Sequence, residues 1–204
     1  MASSFFWNRI ANHYSKQPVG DEAAYQKKLQ TTRGYLEPHM EVLEFGCGTG
    51  TTAIAHAPLV KHILAIDFSA KMIEIAQGKA DAQDIDNITF QRASIDELNL
   101  PAETLDVVMG HSILHLLDNW RDVITKVHEK LKPGGVFVTS TVCLGDTMAY
   151  YRFIAPIMRL FGLTLQVLTA KELEQSLTNA GFKIDHQWRP DGGDSVFIVA
   201  KKAA

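Results

Sequence analysis

Short apolar runs alternate with segments of helical periodicity along most of this chain, and that alternation constrains the fold more than any other feature. The runs are Val42–Phe45, "HILAID" at 62–67, "NITFQRA" from Asn87, "LDVVMG" at 105–110 and "VFVTSTV" at 136–142. Runs this apolar suit strands covered on both faces, and strands separated by helices pair in parallel. The intervening segments carry their own punctuation. One helix starts near Thr51 and stops before Pro58, because the residue preceding a proline disfavours helical backbone. Ser69 reads as the N-cap of the next, with Met72, Ile75 and Ala76 on one face. Asp118 reads as the cap of a helix with Trp120, Val123, Ile124, Val127 and Leu131 at helical spacing, ended by "KPGG". Thr169 and Glu172 form a capping box for a helix that turns Leu173, Leu177 and Ala180 inward and ends at Gly181. "FKIDHQW" and "SVFIVAKK", joined by "RPDGGD", read as a hairpin, which makes the last strand antiparallel. The fold class is α/β, a mostly parallel sheet with helices on both faces.

Two segments lie outside this pattern. The stretch before residue 40 looks helical from about Glu22 to Tyr35. An insertion at 144–168 follows the fifth strand. Ligands in open α/β sheets sit beyond the carboxyl ends of the strands, so this insertion is expected to roof a site there. The 204 residues read as one domain, 1–204, with an N-terminal helical cap at 1–40 and a lid at 144–168.

The turn after the first strand, "EFGCGTG", gives up side chains at three of five positions. Glycine there lets a ligand approach the backbone. A GxGxxG fingerprint begun at Gly46 would end on Thr51. Begun at Gly48 it would end on Ala53, which only its looser form accepts. A phosphate-cradling GxxxxGK[ST] begun at Gly46 fails, since Thr51 and Thr52 follow Gly50. The better description is an acidic residue, then alternating glycines: Glu44, Gly46, Gly48, Gly50. Glu44 would repel a pyrophosphate and suits a cationic ligand. Asp67 ends the second strand, where a carboxylate accepts hydrogen bonds from ribose hydroxyls. A nucleoside with a cationic tail and no phosphates meets both demands, and S-adenosylmethionine (SAM) is such a molecule.

Four stretches then carry a family resemblance: "VLEFGCGTG", "AIDFSAKMIEIA", "DVVMGHSILHLL" and "LKPGGVFV", in order from 42 to 138, with "AGF" before the final two strands. The chain resembles class I SAM-dependent methyltransferases, in the subgroup similar to ubiquinone/menaquinone-biosynthesis methyltransferases. The resemblance implies a Rossmann-like seven-stranded sheet with an antiparallel last strand. It implies SAM as cofactor, S-adenosylhomocysteine as product, and roles for individual residues. Glu44 and the backbone of Gly46, Cys47, Gly48 and Gly50 would face the methionine moiety. Asp67 would take the ribose, Phe68 would pack on adenine, and Ser94 and Ile95 would hold its edge. Many relatives carry an acidic residue where Ser94 stands, and Asp96 is the substitute within reach. Gly110 and His111 would lie near the transferred methyl, and Tyr14, in "FWNRIANHY", would close over the cofactor. Each has a plainer rival. On that reading Glu44 and Asp67 are solvated strand-end carboxylates, a reading that the motif reverses for Asp67, Phe68 is core, and Cys47 is a small residue the turn tolerates.

Methyl transfer from a sulfonium needs alignment and exclusion of water more than it needs a base. Where a proton must leave, His111 is the first catalytic candidate, since histidine titrates near neutrality; His13, His115, Tyr150 and Tyr151 follow. His111 and His115 have the spacing of two ligands on one helix face, but no third ligand accompanies them, so no metal is expected. The insertion's aromatic and aliphatic side chains, with Met148 and Met158, suit a small, partly apolar acceptor. Arg152 and Arg159 would pair an acidic acceptor or reach solvent.

Composition excludes further classes. A net charge of −3 offers no footprint for nucleic acid. Arg152, Pro156, Arg159 and Gly162 interrupt the most apolar stretch, which argues against a membrane span. The first residues lack a signal peptide's pattern, and two cysteines without CxxC spacing suit reduced thiols. The expectation is a cytoplasmic monomer or homodimer acting on a small-molecule methyl acceptor. Methylation of a protein or nucleic acid, and a non-catalytic SAM-binding sensor or partner module, remain as alternatives.

Overall fold

The computed structural model describes residues 4–18, 20–148, 150–160 and 164–204. Two helices, α1 (Ser4–Tyr14) and α2 (Glu22–Arg33), precede the sheet. Then come β1 (Glu41–Phe45), α3 (Thr51–His56), β2 (His62–Asp67), α4 (Ala70–Asp81), β3 (Ile88–Arg92) and β4 (Leu105–His111). They are followed by α5 (Trp120–Lys130), β5 (Leu131–Val142), α6 (Leu144–Thr147), α7 (Tyr151–Leu160), α8 (Ala170–Asn179), β6 (Phe182–Trp188) and β7 (Ser195–Lys202). The strands form one seven-stranded sheet in the order β3-β2-β1-β4-β5-β7-β6. Strands β1 to β5 pair in parallel, and β7 runs antiparallel to both β5 and β6.

Two hydrophobic layers flank the sheet. One packs Trp120, Val123, Ile124 and Val127 of α5 and Leu173 and Leu177 of α8 against Phe45, Phe137 and Val108. The other packs Ala53 of α3, Val42, Ile63, Val107, Met109 and Phe197. Each fully buried large side chain contributes about 1.5–3 kcal/mol, so these layers hold the strand ends in register. The helix caps are specific. Ser69 Oγ accepts from Met72 N, and the Thr169–Glu172 capping box is fully formed. The sheet order reverses between β1 and β4, so the carboxyl ends of these two strands open the crevice in which ligands bind.

Two local expectations need correcting. The residue at the N-cap of α5 is Asn119, without a side-chain cap bond. Asp118 instead turns its Oδ1 to Gln166, 3.0 Å away. "KPGG" also lies within a strand: β5 starts at Leu131, and the extra residues form a bulge, with Leu105 opposite Leu131 but Val107 opposite Val136. Lys132 Nζ meets Asp106 Oδ1 at 2.7 Å, which holds the bulge against β4. Among the described residues, no helix is long and apolar enough to cross a membrane.

Candidate active site

Strand β1 delivers the chain into the glycine turn. Gly46, Gly48 and Gly50 adopt φ of +65°, +53° and +75°, a left-handed backbone that side chains resist. At Gly48 a Cβ would meet only Tyr14, at 3.9 Å. The space above it is cavity, so this glycine opens the turn to a ligand.

Asp67, at the end of β2, holds the turn. Its Oδ2 accepts from Gly48 N at 3.0 Å and its Oδ1 from Ser69 N at 2.9 Å. Burial raises its pKa, and these two amides draw it back. Each oxygen keeps a further lone pair for ligand hydroxyls. Glu44 is 2% exposed, and its Oε2 has no hydrogen-bond partner. Burial, then the charge of Asp67, pushes its pKa up to about 8. A buried carboxyl oxygen with no donor costs free energy. A ligand ammonium placed there would satisfy it and draw the proton off.

Two connected cavities lie over these residues. The first, about 110 Å³, is lined by Phe68, Met72, Ser94, Ile95, Asp96 and Leu117, together with Asp67 and Gly46. Such a slot between an aromatic ring and aliphatic walls suits a flat heterocycle. The second, about 540 Å³, reaches from Glu44, Cys47, Gly48 and Thr52 toward Lys28, Ser140 and Pro190. Tyr14, Gly46, Gly48, His111 and Ser112 border both.

Most of the residues singled out in the sequence converge here: Tyr14, Glu44, Gly46, Cys47, Gly48, Asp67, Phe68, Ser94, Ile95, Asp96 and His111. Two do not. Gly50 packs under the turn, where a Cβ would meet Ala76 at 2.8 Å. Gly110 is buried behind Phe45, whose ring a Cβ would strike, and its carbonyl accepts from Thr139 Oγ1 at 2.9 Å. Both are packing glycines. Asp96 accepts from Asn119 Nδ2 at 3.0 Å. The Cys47 thiol has its pKa raised by burial first, which leaves it inert.

The histidines also depart from expectation. Burial, followed by the nearby His56 and Lys28, pushes His111 down to about 3, so its ring is neutral at physiological pH. Its Nε2 is buried without a partner. His115 sits on a short 3-10 turn, Leu114–Leu116, facing the interior and held down to about 4 by burial. It shares no helix face with His111, which ends β4. His13 lies exposed beside Gln17. The rings of Tyr150 and Tyr151 contact one another at a tilt of 38°, and neither lines either cavity.

Of the insertion at 144–168, the described residues line neither of these two cavities. Its described residues border a separate cavity of about 480 Å³, between Arg152 and Pro156 on one side and Trp120, Arg121 and Glu172 on the other. Asp146 pairs with Arg189, which ties α6 to the strand β6 end. Phe153, Ile154 and Ile157 stay exposed. Gly162 and the side chains of Met158 and Arg159 lie outside the described residues. The described residues over the glycine turn come from the N-terminal segment instead. Asn8 Oδ1 accepts from Ser69 Oγ at 2.7 Å and Lys71 N at 3.1 Å, docking α1 on the start of α4. Trp7 and Tyr14 thereby reach the first cavity and Tyr25 and Lys28 the second.

The sequence reading missed Trp7, Tyr25, Lys28, Thr52, Ser112 and Ser140. Ser112 has φ of +54°, a conformation rare for a side-chain-bearing residue and concentrated at functional sites. Its amide donates to Ser140 O at 2.7 Å.

Two buried carboxyl groups beside the turn, Glu44 with an unpartnered oxygen and Asp67 with lone pairs to spare, offer acceptors to a nucleoside that carries an ammonium. The sheet order, reversing between β1 and β4, is that of a Rossmann-like fold. The chain belongs to the family described as "Methyltransferase domain", matched over residues 36–188. The demethylmenaquinone methyltransferase of Geobacillus kaustophilus (strain HTA426) is 30% identical over 175 residues, 78% of this chain and 72% of that protein. The uncharacterized methyltransferase YcgJ of Bacillus subtilis (strain 168) is 29% identical over 97 residues, 48% of this chain and 38% of that one. The solved structure of geranyl diphosphate C-methyltransferase from Streptomyces coelicolor A3(2), in complex with Mg2+, geranyl diphosphate and S-adenosyl-L-homocysteine, superposes with a TM-score of 0.74. It is 15% identical, covering 89% of this chain and 79% of that one, a likeness of fold. The chain spans well under half the length of the first curated relatives it matches.

Proposed function

We propose that this protein transfers a methyl group from SAM to a small, partly apolar molecule. The observation that carries the reading is the unpartnered Oε2 of Glu44, buried beside an open left-handed glycine turn. SAM, when bound, supplies a methyl on a positively charged sulfur, ready for in-line displacement.

The chain's own residues then have distinct tasks. Glu44 accepts from the ligand ammonium, and Asp67 from ribose hydroxyls while it pins Gly48. Phe68, Ser94 and Ile95 enclose the adenine. Trp7 and Tyr14 exclude water from above, which strengthens each polar contact beneath. His111, neutral and with a free Nε2, orients the acceptor by a hydrogen bond; a group held near 3 stores no proton at pH 7. The second cavity's volume, about 540 Å³, is that of a small-molecule pocket. Tyr14, Tyr25, Leu29 and Pro190 make part of its wall apolar.

The test is turnover. The protein is incubated with methyl-labelled SAM and fractionated small-metabolite extracts, and S-adenosylhomocysteine is followed. Formation of that product with label in a small molecule supports the reading. SAM binding without turnover in any fraction points to a sensor or partner module, and label in protein or nucleic acid overturns the acceptor class.

A further inference from the structure

The second cavity holds a cation that the cofactor does not account for. Lys28, on α2, reaches across the chain to β5, where its Nζ donates to Ser140 Oγ at 2.8 Å. Among the described residues it has no carboxylate at ion-pair distance. Asp21 acts on it only through space, its Oδ1 being engaged by Ala24 N at the start of α2. A partly buried ammonium whose side-chain partner is one neutral hydroxyl keeps donors free for a ligand in the cavity, because such a group offers three. One further polar atom of the same cavity is buried and unpartnered: His111 Nε2.

Position decides which ligand this cation serves. Glu44 pairs across the sheet with Met109 of β4, and His111 of β4 pairs with Ser140 of β5. Ser140 is therefore two strands away from Glu44, roughly 10 Å at the usual strand spacing. The charge of Lys28 acts on His111, whereas Glu44 feels Asp67 and not Lys28. The ammonium and carboxylate of an amino acid share one carbon. A ligand gripped by Glu44 at its ammonium keeps its own carboxylate near β1.

We propose that Lys28 is a specificity residue for the methyl acceptor: it holds an ionised oxygen group, such as a carboxylate, at the β5 side of the cavity, next to His111. This rests on the methyltransferase reading above. The acceptor is then an anion with an apolar body. Its charge sits against Lys28 and Ser140, and its body lies along Tyr25 and Leu29.

Benzoate and its neutral isostere benzamide are the probes, added to protein saturated with S-adenosylhomocysteine and read by saturation-transfer NMR. Benzoate is expected to bind at least tenfold more tightly than benzamide, the scale of one charge-assisted hydrogen bond. Lys28→Met, and Lys28→Gln as a second variant, should abolish that preference while leaving S-adenosylhomocysteine affinity within twofold by calorimetry. No preference in the wild-type protein, including failure of both probes to bind, overturns the proposal. A tenfold loss of S-adenosylhomocysteine affinity in the variants also overturns it, assigning Lys28 to the cofactor's carboxylate. Failure of the wild-type protein to bind S-adenosylhomocysteine at all would instead remove the underlying reading.

Discussion

Cofactor binding should expel a proton from Glu44. The free carboxyl has a pKa near 8, so at pH 7 the protonated form outnumbers the ionised form about tenfold. Ionising it to receive an ammonium costs about 1.4 kcal/mol at pH 7 and almost nothing above pH 9. With the ammonium in place the ionised form is favoured, so binding releases about 0.9 proton at pH 7. Affinity for S-adenosylhomocysteine should therefore rise nearly tenfold from pH 6 to 7 and about fivefold from 7 to 8. The sign for the unliganded fold is opposite. Between the ordinary carboxyl value and about 8 the folded protein keeps a proton that the unfolded chain has lost, so its stability falls as pH rises through that window. The assay is isothermal calorimetry at pH 7 in phosphate and in Tris, whose ionisation enthalpies differ widely. The apparent binding enthalpy should differ between them by about 0.9 times the difference in buffer ionisation enthalpy. Glu44→Gln should erase both the buffer difference and the pH slope, and weaken binding about 10- to 100-fold. Identical enthalpies in both buffers with a flat pH profile would refute the reasoning.

Other substitutions test separate parts of the site. Asp67→Ala removes the ribose acceptor and the pin on Gly48, and should weaken S-adenosylhomocysteine binding about 10- to 100-fold by calorimetry; unchanged affinity would remove Asp67 from the site. Gly48→Ala places a methyl in the open cavity on left-handed backbone, costing about 1 kcal/mol of stability, and should cut affinity at least tenfold. Gly110→Ala drives the same methyl into the Phe45 ring, so its main effect should be a drop in Tm of several degrees by calorimetric scan. His111→Ala should slow methyl transfer, and the wild-type rate should show no inflection from this ring between pH 5.5 and 8, since its pKa is near 3; an inflection near 6.5 that the variant loses would make it a titrating base.

The sequence exposed what local chemistry dictates. The Ser69 cap and the Thr169–Glu172 box depend on neighbours three residues away, and each lies where its pattern indicates. The covering of the site was not legible, because it depends on contacts distant in sequence. Asn8 docks on residues 61 and 63 positions away, and Lys28 reaches Ser140 across 112. An apolar insertion at the end of β5 is the natural local choice for a roof, and nothing in its own residues reveals that its described part borders a separate cavity facing α5 and α8. Gly110 shows a related limit: a glycine in a binding motif looks the same whether it faces a ligand or Phe45. The positive φ of Ser112 has no sequence signal, since serine rarely adopts it.

The most direct test of the account is a crystal structure of the protein with S-adenosylhomocysteine. The account predicts the ligand ammonium at hydrogen-bond distance from Glu44 Oε2, the ribose hydroxyls on Asp67 and the adenine beside Phe68. A ligand with its ammonium held elsewhere and Glu44 still unpartnered, or an empty crevice at saturating concentration, would contradict it.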